Sequence, residues 1–240
     1  MTHPSLSDTE RAALAGKLAV VTGASRGIGY ATASLLGAAG VHVIALARTV
    51  AGLEDLDDAI TAAGGPKPTL VPINVTDGPG IDRLGAAIAE RWGKLDIFIG
   101  NAGVMGPVSP LGHVKAKAWS EVVDVNLSAN WRLLRTLDPV LRTADAARVV
   151  FVTSGLAHEL RPFFGPYAVS KAALEALANT YALETEKTGV SVALFSPGSV
   201  RTGLRAKAHP GENPDNLPSP ADVAPGLARL CLPPASPSAT

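Results

Sequence analysis

Residues 18–29 read Leu-Ala-Val-Val-Thr-Gly-Ala-Ser-Arg-Gly-Ile-Gly. The run Leu18–Val21 has the length and β-branched content of a buried strand, and an alanine-rich helical pattern, Tyr30–Ala39, follows the glycines. A strand, a glycine turn and a helix in this order form an anion site. Glycines let the backbone approach a pyrophosphate, and the first N–H groups of the helix point at it. The stretch therefore favours a dinucleotide site, with a plain glycine turn as the alternative.

Length and composition favour a single α/β domain. The chain has 240 residues, 47% of them apolar, with 21 basic and 21 acidic side chains. With no linker or internal repeat, we expect one domain over residues 17–240 behind an N-terminal extension, 1–16. The balanced charge argues against nucleic-acid and membrane partners. The single cysteine, Cys231, fits a reducing compartment, and no apolar run approaches the roughly 18 residues of a membrane span. We therefore expect a soluble, cytoplasmic protein.

The rest of the chain alternates between strand and helix patterns. A βαβ series of this kind predicts a parallel, doubly wound, Rossmann-type sheet with helices on both faces. Ligands of such sheets bind at the carboxyl ends of the strands, where polar or glycine-rich segments follow all six predicted strands. The predicted strands are 18–21, 41–47, 69–73, 95–99, 148–153 and 190–196, and the predicted helices are 30–39, 50–62, 79–92, 115–141, 167–187 and 221–232.

Two spacings together resemble the short-chain dehydrogenase/reductase family. One is Thr22-Gly23-x-x-x-Gly27-x-Gly29, and the other is Tyr167-x-x-x-Lys171. A tyrosine four residues before a lysine is by itself usually structural, but here Ser154 lies upstream at the family's spacing. The resemblance extends from about residue 17 to residue 202. It implies an oxidoreductase whose catalytic residues are Asn126, Ser154, Tyr167 and Lys171.

The chemistry of these side chains agrees with that implication. An unperturbed tyrosine has a pKa of about 10, and a nearby ammonium group favours the phenolate and brings the pKa toward the working range. Ser154 would donate a hydrogen bond to a substrate oxygen as it gains negative charge. In the family, the asparagine matching Asn126 holds a water that relays protons to the lysine. The family gives no role to the position of His158, which we expect to line or flank the pocket.

The end of the second predicted strand indicates which dinucleotide binds. A free ribose 2′-hydroxyl needs a carboxylate about 20 residues past the glycines, and Ala47 stands there instead, followed by Arg48. A guanidinium can bind a 2′-phosphate, and Arg26 can join it, unless both arginines are ordinary surface charges. In the resembled family, basic residues at both positions mark NADP(H). The implied cofactor-binding residues are Gly23, Ser25, Arg26, Gly27, Ile28, Gly29, Arg48, Asn74, Val75, Asn101, Ala102, Gly103, Tyr167, Lys171, Pro197, Gly198, Val200 and Thr202.

The leading interpretation is an NADPH-dependent carbonyl reductase or alcohol dehydrogenase acting on a small molecule, with Tyr167 as its acid and base. A non-catalytic NADP(H) redox sensor on the same fold is the alternative, and an isomerase or dehydratase is a third possibility. The remaining histidines show no ligand spacing, and we expect no metal. The sequence does not identify the substrate or the physiological direction.

Three further expectations concern assembly and access. The predicted helix 167–187 is apolar around most of its circumference, and in the family its equivalent forms dimers and tetramers, so we expect a homodimer or homotetramer. Residues 203–220 match a mobile substrate lid, where Arg201, Arg205 and Lys207 either attract an anionic substrate or are simply solvated. The segment Pro233–Thr240 is short and proline-rich, which puts the family's further edge strand in doubt.

Overall fold

The protein, represented by a computed structural model, is described here over residues 5–233. In this part of the chain six parallel strands form one sheet, in the order β3-β2-β1-β4-β5-β6. The order reverses between β1 and β4, which is where such sheets bind ligands. The predicted doubly wound parallel sheet is confirmed. Its strands are β1 (Leu18–Thr22), β2 (His42–Ala47), β3 (Thr69–Pro72), β4 (Ile97–Gly100), β5 (Arg148–Val152) and β6 (Ser191–Phe195).

Helices cover both faces of the sheet. Every strand pair is parallel, so each connection must cross back over a face, and helices make these crossings. Across residues 5–233, none of the helices combines the length and the apolar character needed to cross a bilayer. They are α1 (Asp8–Leu14), α2 (Gly27–Ala38), α3 (Val50–Ala62), α4 (Gly78–Trp92), α5 (Ala116–Val123), α6 (Ala129–Leu141), α7 (Gly165–Glu184), α8 (Gly203–Ala208) and α9 (Pro220–Arg229).

The core consists of two apolar layers, one on each face of the sheet. Alternate residues of a strand point to opposite faces, so Val21 packs with α2, α3 and α9, while Val20 packs with α4, α6 and α7. In the second layer, Phe98 and Phe151 meet edge to face with ring centres 5.7 Å apart. Both layers hold the strand ends in a fixed register, and the carboxyl ends of β1 and β4 support the site.

Residues 5–16 of the N-terminal extension pack against the same core. Ser7 and Glu10 form a capping box at the start of α1, each side chain accepting a hydrogen bond from the other's backbone N–H. Leu14 is fully buried, and Arg229 on α9 donates a hydrogen bond to Glu10 at 2.7 Å. Helix α1 is therefore tied to α9.

Some predicted boundaries were wrong. Helix α2 begins at Gly27 rather than Tyr30, because the last glycines of the turn already form its first turn. Helix α7 spans Gly165–Glu184 rather than 167–187. The predicted helix 115–141 is divided into α5 and α6 by a π-helical segment, Asp124–Ser128. The doubtful C-terminal strand lies outside the described residues, apart from Pro233.

Candidate functional site

A cleft of about 1230 Å³ opens at the carboxyl ends of the strands. It runs from the glycine turn after β1, past the ends of β2, β4 and β5, to α8. Two of the predicted site residues, Gly29 and Asn126, do not line it. Those that line the cleft are Gly23, Ser25, Arg26, Gly27, Ile28, Arg48, Asn74, Val75, Asn101, Ala102, Gly103, Ser154, Tyr167, Lys171, Pro197, Gly198, Val200 and Thr202.

The glycine turn has the backbone geometry of an anion cradle. Gly23 and Gly27 have φ angles of +67° and +61°, which side-chain-bearing residues rarely adopt. Gly29 packs so closely on Gly23 that a Cβ there would overlap its carbonyl. The first turn of α2 contains no acidic residue, and the side chain of its N-cap residue, Arg26, makes no capping hydrogen bond. The first N–H groups of α2 are thus available to an anion.

Hydrogen bonds join the turn after β4 to the end of β1. The Thr22 hydroxyl accepts from the backbone N–H groups of Asn101 and Ala102, at 2.9 and 3.0 Å. The side-chain amide of Asn101 donates to the Thr22 carbonyl at 2.9 Å. Asn101 therefore lines the cleft while its side chain fixes the separation of the two strand ends.

The far end of the cleft bears the two predicted arginines. Ala47 ends β2, and Arg48 and Arg26 both line the cleft beside it. Asn74 follows β3, and its side-chain oxygen accepts a hydrogen bond from the Thr76 backbone at 3.2 Å, which orients the amide. This end is basic, and the strand β2 ends in a side chain too small to reach a ribose.

Ser154, Tyr167 and Lys171 converge in the middle of the cleft. Ser154 lies two residues after the end of β5, and the other two lie one turn apart on α7. Lys171 is almost fully buried and its ammonium donates to the Val152 carbonyl at 2.7 Å, with Nζ 5.7 Å from the centre of the Tyr167 ring. Strand β5 thus orients the lysine, and α7 places the phenol beside the serine.

Burial dominates the acid–base properties of this pair. It lowers the pKa of Lys171 to about 8 and raises the pKa of Tyr167, although the hydrogen bond with the Ser154 side chain opposes the second shift. The expected lowering of the tyrosine pKa is therefore wrong, because burial raises it. At neutral pH, Tyr167 is a phenol that can donate a proton, and Lys171 is mostly an ammonium ion.

The Asn126 side chain forms hydrogen bonds with the backbone next to the cleft. It is fully buried in the π-helical segment, where its side-chain oxygen accepts from the Val104 N–H at 2.8 Å and its amide donates to the Val104 carbonyl at 2.9 Å. The same amide donates to the Ser170 hydroxyl at 2.9 Å. Asn126 thereby joins the segment after β4 to α7, next to Lys171.

An apolar cluster that the sequence analysis missed includes the buried ring of Tyr167. It combines residues from the segment after β4, the turn after β5 and α8, so no local pattern announced it. The Phe164 ring stacks on His209 with centres 5.8 Å apart. The cluster consists of Met105, Leu156, Phe164, Tyr167, Leu204 and Ala208.

The predicted lid is more structured than its composition suggested. Thr202 caps α8 by accepting from the Arg205 N–H at 3.2 Å, and Ala208 is buried against the apolar cluster. The Arg205 guanidinium makes two hydrogen bonds of 2.6 Å to Glu212. Arg201 is near Asp215, at 3.4 Å. Because carboxylates neutralise two of the three predicted cations, Lys207 is the remaining candidate for attracting an anion.

Comparison with known proteins now identifies the family. The sequence pattern of the short chain dehydrogenase family matches residues 17–213. The chain belongs to this family. It is 33% identical over 211 residues to the oxidoreductase YciK of Escherichia coli K12, covering 87% of this chain and 83% of YciK. The predicted family membership is confirmed.

Solved structures of family members have the same fold. A short chain dehydrogenase from Pseudomonas syringae has a TM-score of 0.91 at 36% identity, covering 97% of this chain and 94% of that chain. One from Escherichia coli CFT073, in complex with NADPH, has a TM-score of 0.88 at 32% identity, covering 92% and 93%. A relative from Mycobacterium tuberculosis, 36% identical over 80% of this chain and 74% of its own length, is named as NAD-dependent.

A second group that the sequence analysis missed lies behind the family's catalytic residues. Glu175 is buried on α7, where it accepts from the Thr153 hydroxyl at 2.5 Å and lies 2.6 Å from the His158 ring nitrogen Nε2. His158 is not among the residues that line the cleft, and its largely exposed ring lies against Glu175. The spacing of Lys171 and Glu175, four residues apart on one helix, was the available signal.

Residues 5–233 contain no cluster of three or more histidine, cysteine, aspartate or glutamate side chains placed to hold a metal ion. Cys231 is buried, and burial raises the pKa of its thiol to about 12. The thiol therefore stays protonated and behaves as a small apolar side chain.

Proposed function

We propose that this protein is an NADPH-dependent reductase of carbonyl compounds, which also oxidises the corresponding alcohols. The observation that carries the proposal is the position of Tyr167, Ser154 and Lys171. They lie where the long basic-ended cleft meets a small apolar cluster. A hydride donor along the cleft and a carbonyl against the cluster would meet beside the phenol.

The residues of the cleft fit a phosphorylated dinucleotide. The helix α2 N-terminus and the glycine turn suit the pyrophosphate. Arg26 and Arg48 suit a 2′-phosphate, and Ala47 offers no acceptor to a free ribose hydroxyl. Gly103 leaves open the space beside Asn126 and Lys171, where a Cβ would stand 3.4 Å and 3.8 Å from their polar atoms. When bound, NADPH supplies the hydride.

The side chains would then handle the charge and the proton. Ser154 donates a hydrogen bond to the carbonyl oxygen, stabilising the negative charge that develops there. Tyr167, kept as a phenol by burial, gives its proton to the same oxygen. The Lys171 ammonium stabilises the resulting phenolate, and Asn126 keeps the backbone beside the lysine in place.

The substrate we propose has an apolar part next to its carbonyl group. Met105, Leu156, Phe164 and Leu204 form the wall nearest Tyr167, and contacts with them orient the carbonyl. Aldehydes, ketones and 3-oxoacyl thioesters all satisfy this description. An anionic group at the far end of the substrate would lie near Lys207.

The alternative, a non-catalytic NADP(H) redox sensor, requires no proton donor at the cleft. All four catalytic side chains are present, and three of them line the cleft, which favours an enzyme. The test is NADPH oxidation with a panel of aldehydes, ketones and 3-oxoacyl thioesters, run beside direct measurements of NADPH binding. Tight binding without turnover of any panel member would favour the sensor. Turnover that Tyr167→Phe abolishes would support the reductase.

We further propose a homodimer, or a tetramer built from it, and a cytoplasmic location. The outer face of α7 is a stripe of exposed apolar side chains that includes Val169, Ala172, Ala176 and Leu183. A stripe of this kind on an otherwise covered helix suits a two-fold helix contact. Light scattering at micromolar concentration should give at least twice the chain mass of 24.5 kDa. A monomer would contradict the proposal, and Ala176→Arg should dissociate the dimer.

A further inference from the structure

The buried carboxylate of Glu175 is held from two sides. Thr153 donates to Oε1 at 2.5 Å, and His158 lies 2.6 Å from Oε2. Thr153 stands between Val152, whose carbonyl accepts from Lys171, and Ser154. The carboxylate is therefore attached to the strand end that positions two catalytic side chains. A buried carboxylate destabilises a fold unless such partners fix it, which suggests that this charge has a use.

Lys171 is the group on which that charge acts. The ammonium is buried and donates to a neutral carbonyl, so desolvation disfavours its charged form. Desolvation lowers the pKa of Lys171, and the negative charge of Glu175 acts in the opposite direction. The spacing of four residues puts both side chains on one side of α7. Coulomb attraction across a buried region is also much stronger than in water.

Other titratable groups face α7, and of these His158, whose side chain is three-quarters exposed, lies against Glu175. Residues Gly155–Ala157 and β6 bring no charged side chain to it. Arg148 lies at the opposite end of β5 from the site. The titratable and charged side chains on α7 and on the described elements packed against it are Lys117 and Glu121 on α5, Asp124 in the π-helical segment, Arg132, Arg135 and Asp138 on α6 with Arg142 at its end, Arg148 on β5, His158 after β5, and Tyr167, Lys171, Glu175, Tyr181 and Glu184 on α7 itself.

We propose that Glu175, held by His158 and Thr153, is the buried counter-charge that keeps Lys171 an ammonium ion. Glu175 is then a positioning residue for Tyr167 and Lys171. It acts through the charge of the lysine and does not touch the substrate. The importance of this charge for turnover rests on the proposed function, but its effect on Lys171 does not. The competing explanation is mechanical: Glu175 would only fasten the turn that bears His158 to α7.

The protonation of Lys171 can be followed directly in the cofactor-free protein. Nuclear magnetic resonance of protein labelled with ¹³C at the lysine ε-carbon gives a titration curve, with the Lys171 signal assigned from the Lys171→Arg variant. Glu175→Gln keeps the size of the side chain and one acceptor oxygen for the Thr153 hydroxyl but removes its charge. We expect the proton affinity of Lys171 to fall about tenfold or more, which is a shift of at least about one pH unit.

Three variants separate the charge from the mechanical explanation. Glu184→Gln makes the same charge change at the exposed end of α7 and should leave the Lys171 titration unchanged. Glu175→Asp retains the charge and should keep most of the lysine's proton affinity. If Glu175→Gln does not fold, Glu175→Met removes the charge with a good helix former that leaves no unpaired polar atom of its own.

Two results would overturn the proposal. One is an identical Lys171 titration in the wild type and the charge-removed variant, and the other is a loss in Glu175→Asp as large as in Glu175→Gln. With a substrate in hand, the basic limb of the pH profile of kcat should move down by the same interval in Glu175→Gln. A shifted titration without any NADPH-dependent reduction would contradict the proposed function alone. Normal reduction with an unshifted titration would contradict this inference alone.

Discussion

The two ends of the cleft are built in different ways. The end near β1 and β2 comes from short consecutive segments, the glycine turn Gly23–Gly29 and the dipeptide Ala47–Arg48, and it works largely through backbone N–H groups. The end near Tyr167 combines side chains from β5, α7, α8 and the segment after β4. A site made of local backbone tolerates changes around it, whereas a site made of distant side chains depends on the packing of the whole fold.

Removing the phenol oxygen of Tyr167 should lower the turnover rate and leave NADPH binding at the other end of the cleft unchanged. Tyr167→Phe keeps the ring in the apolar cluster but removes the proton donor, so kcat should fall by about 10² or more. The Kd for NADPH, measured by fluorescence titration, should stay within about twofold of the wild type, because Arg26 and Arg48 are untouched. Turnover near the wild-type level on a validated substrate would contradict the assignment.

Burial of the Lys171 ammonium should make the unfolding free energy of the protein depend on pH. Burial depresses the folded-state pKa of Lys171 to about 8, so above that pH the unfolded chain binds more protons and this lysine's contribution to stability rises. Lys171→Met removes the effect. Between pH 7.5 and pH 10, the unfolding free energy of the wild type, measured by urea denaturation, should therefore increase by about 2 kcal/mol relative to that of the variant. Parallel pH profiles for the two proteins would refute the prediction.

The preference for NADPH over NADH should depend on the residues at the end of β2, Ala47 and Arg48. The double variant Ala47→Asp with Arg48→Leu supplies an acceptor for a ribose hydroxyl and removes a partner of the 2′-phosphate. Since one charge-assisted hydrogen bond contributes roughly 1.5–3 kcal/mol, the wild type should bind NADPH at least about tenfold more tightly than NADH, and the variant should reverse this. Isothermal titration with both cofactors measures it. Equal affinities in the wild type would be the contrary result.

The smallest effect should come from the cations of α8. Arg205 is neutralised by Glu212, while Lys207 lines the same cleft. Lys207→Ala should raise KM for an anionic substrate by about twofold to threefold at low salt and less at high salt, because exposed charges are screened. KM for a neutral aldehyde should not move. The matched variant Lys67→Ala, far from the cleft on the surface, should change neither.

Sequence reasoning predicted that the glycine turn and Arg48 lie at the carboxyl ends of the strands, because the patterns that indicate this are local. The glycine spacing, Ala47 and Arg48 indicate backbone geometry and charge within a few residues, and the alternation of strands and helices gives the sheet. It missed the apolar cluster and the group of Thr153, His158 and Glu175. Those contacts join residues far apart in the chain, so no periodicity indicates them. It left Arg205 as either attracting an anionic substrate or solvated, since the pairing with Glu212 depends on how α8 folds back.

The sequence predicts one helix over 115–141 because α5, the π-helical segment and α6 follow one another without a loop between them. A π turn carries one surplus residue, which leaves a carbonyl without its usual partner, and the Asn130 amide donates to the Asn126 carbonyl at 2.8 Å. Helix α5 and helix α6 are consequently out of phase by about one residue, or about 100° around the axis. A single deletion between residues 124 and 128 would put both in one frame. It would turn α5 by that angle relative to α6, and α5 supplies Glu121 to the lining of the cleft.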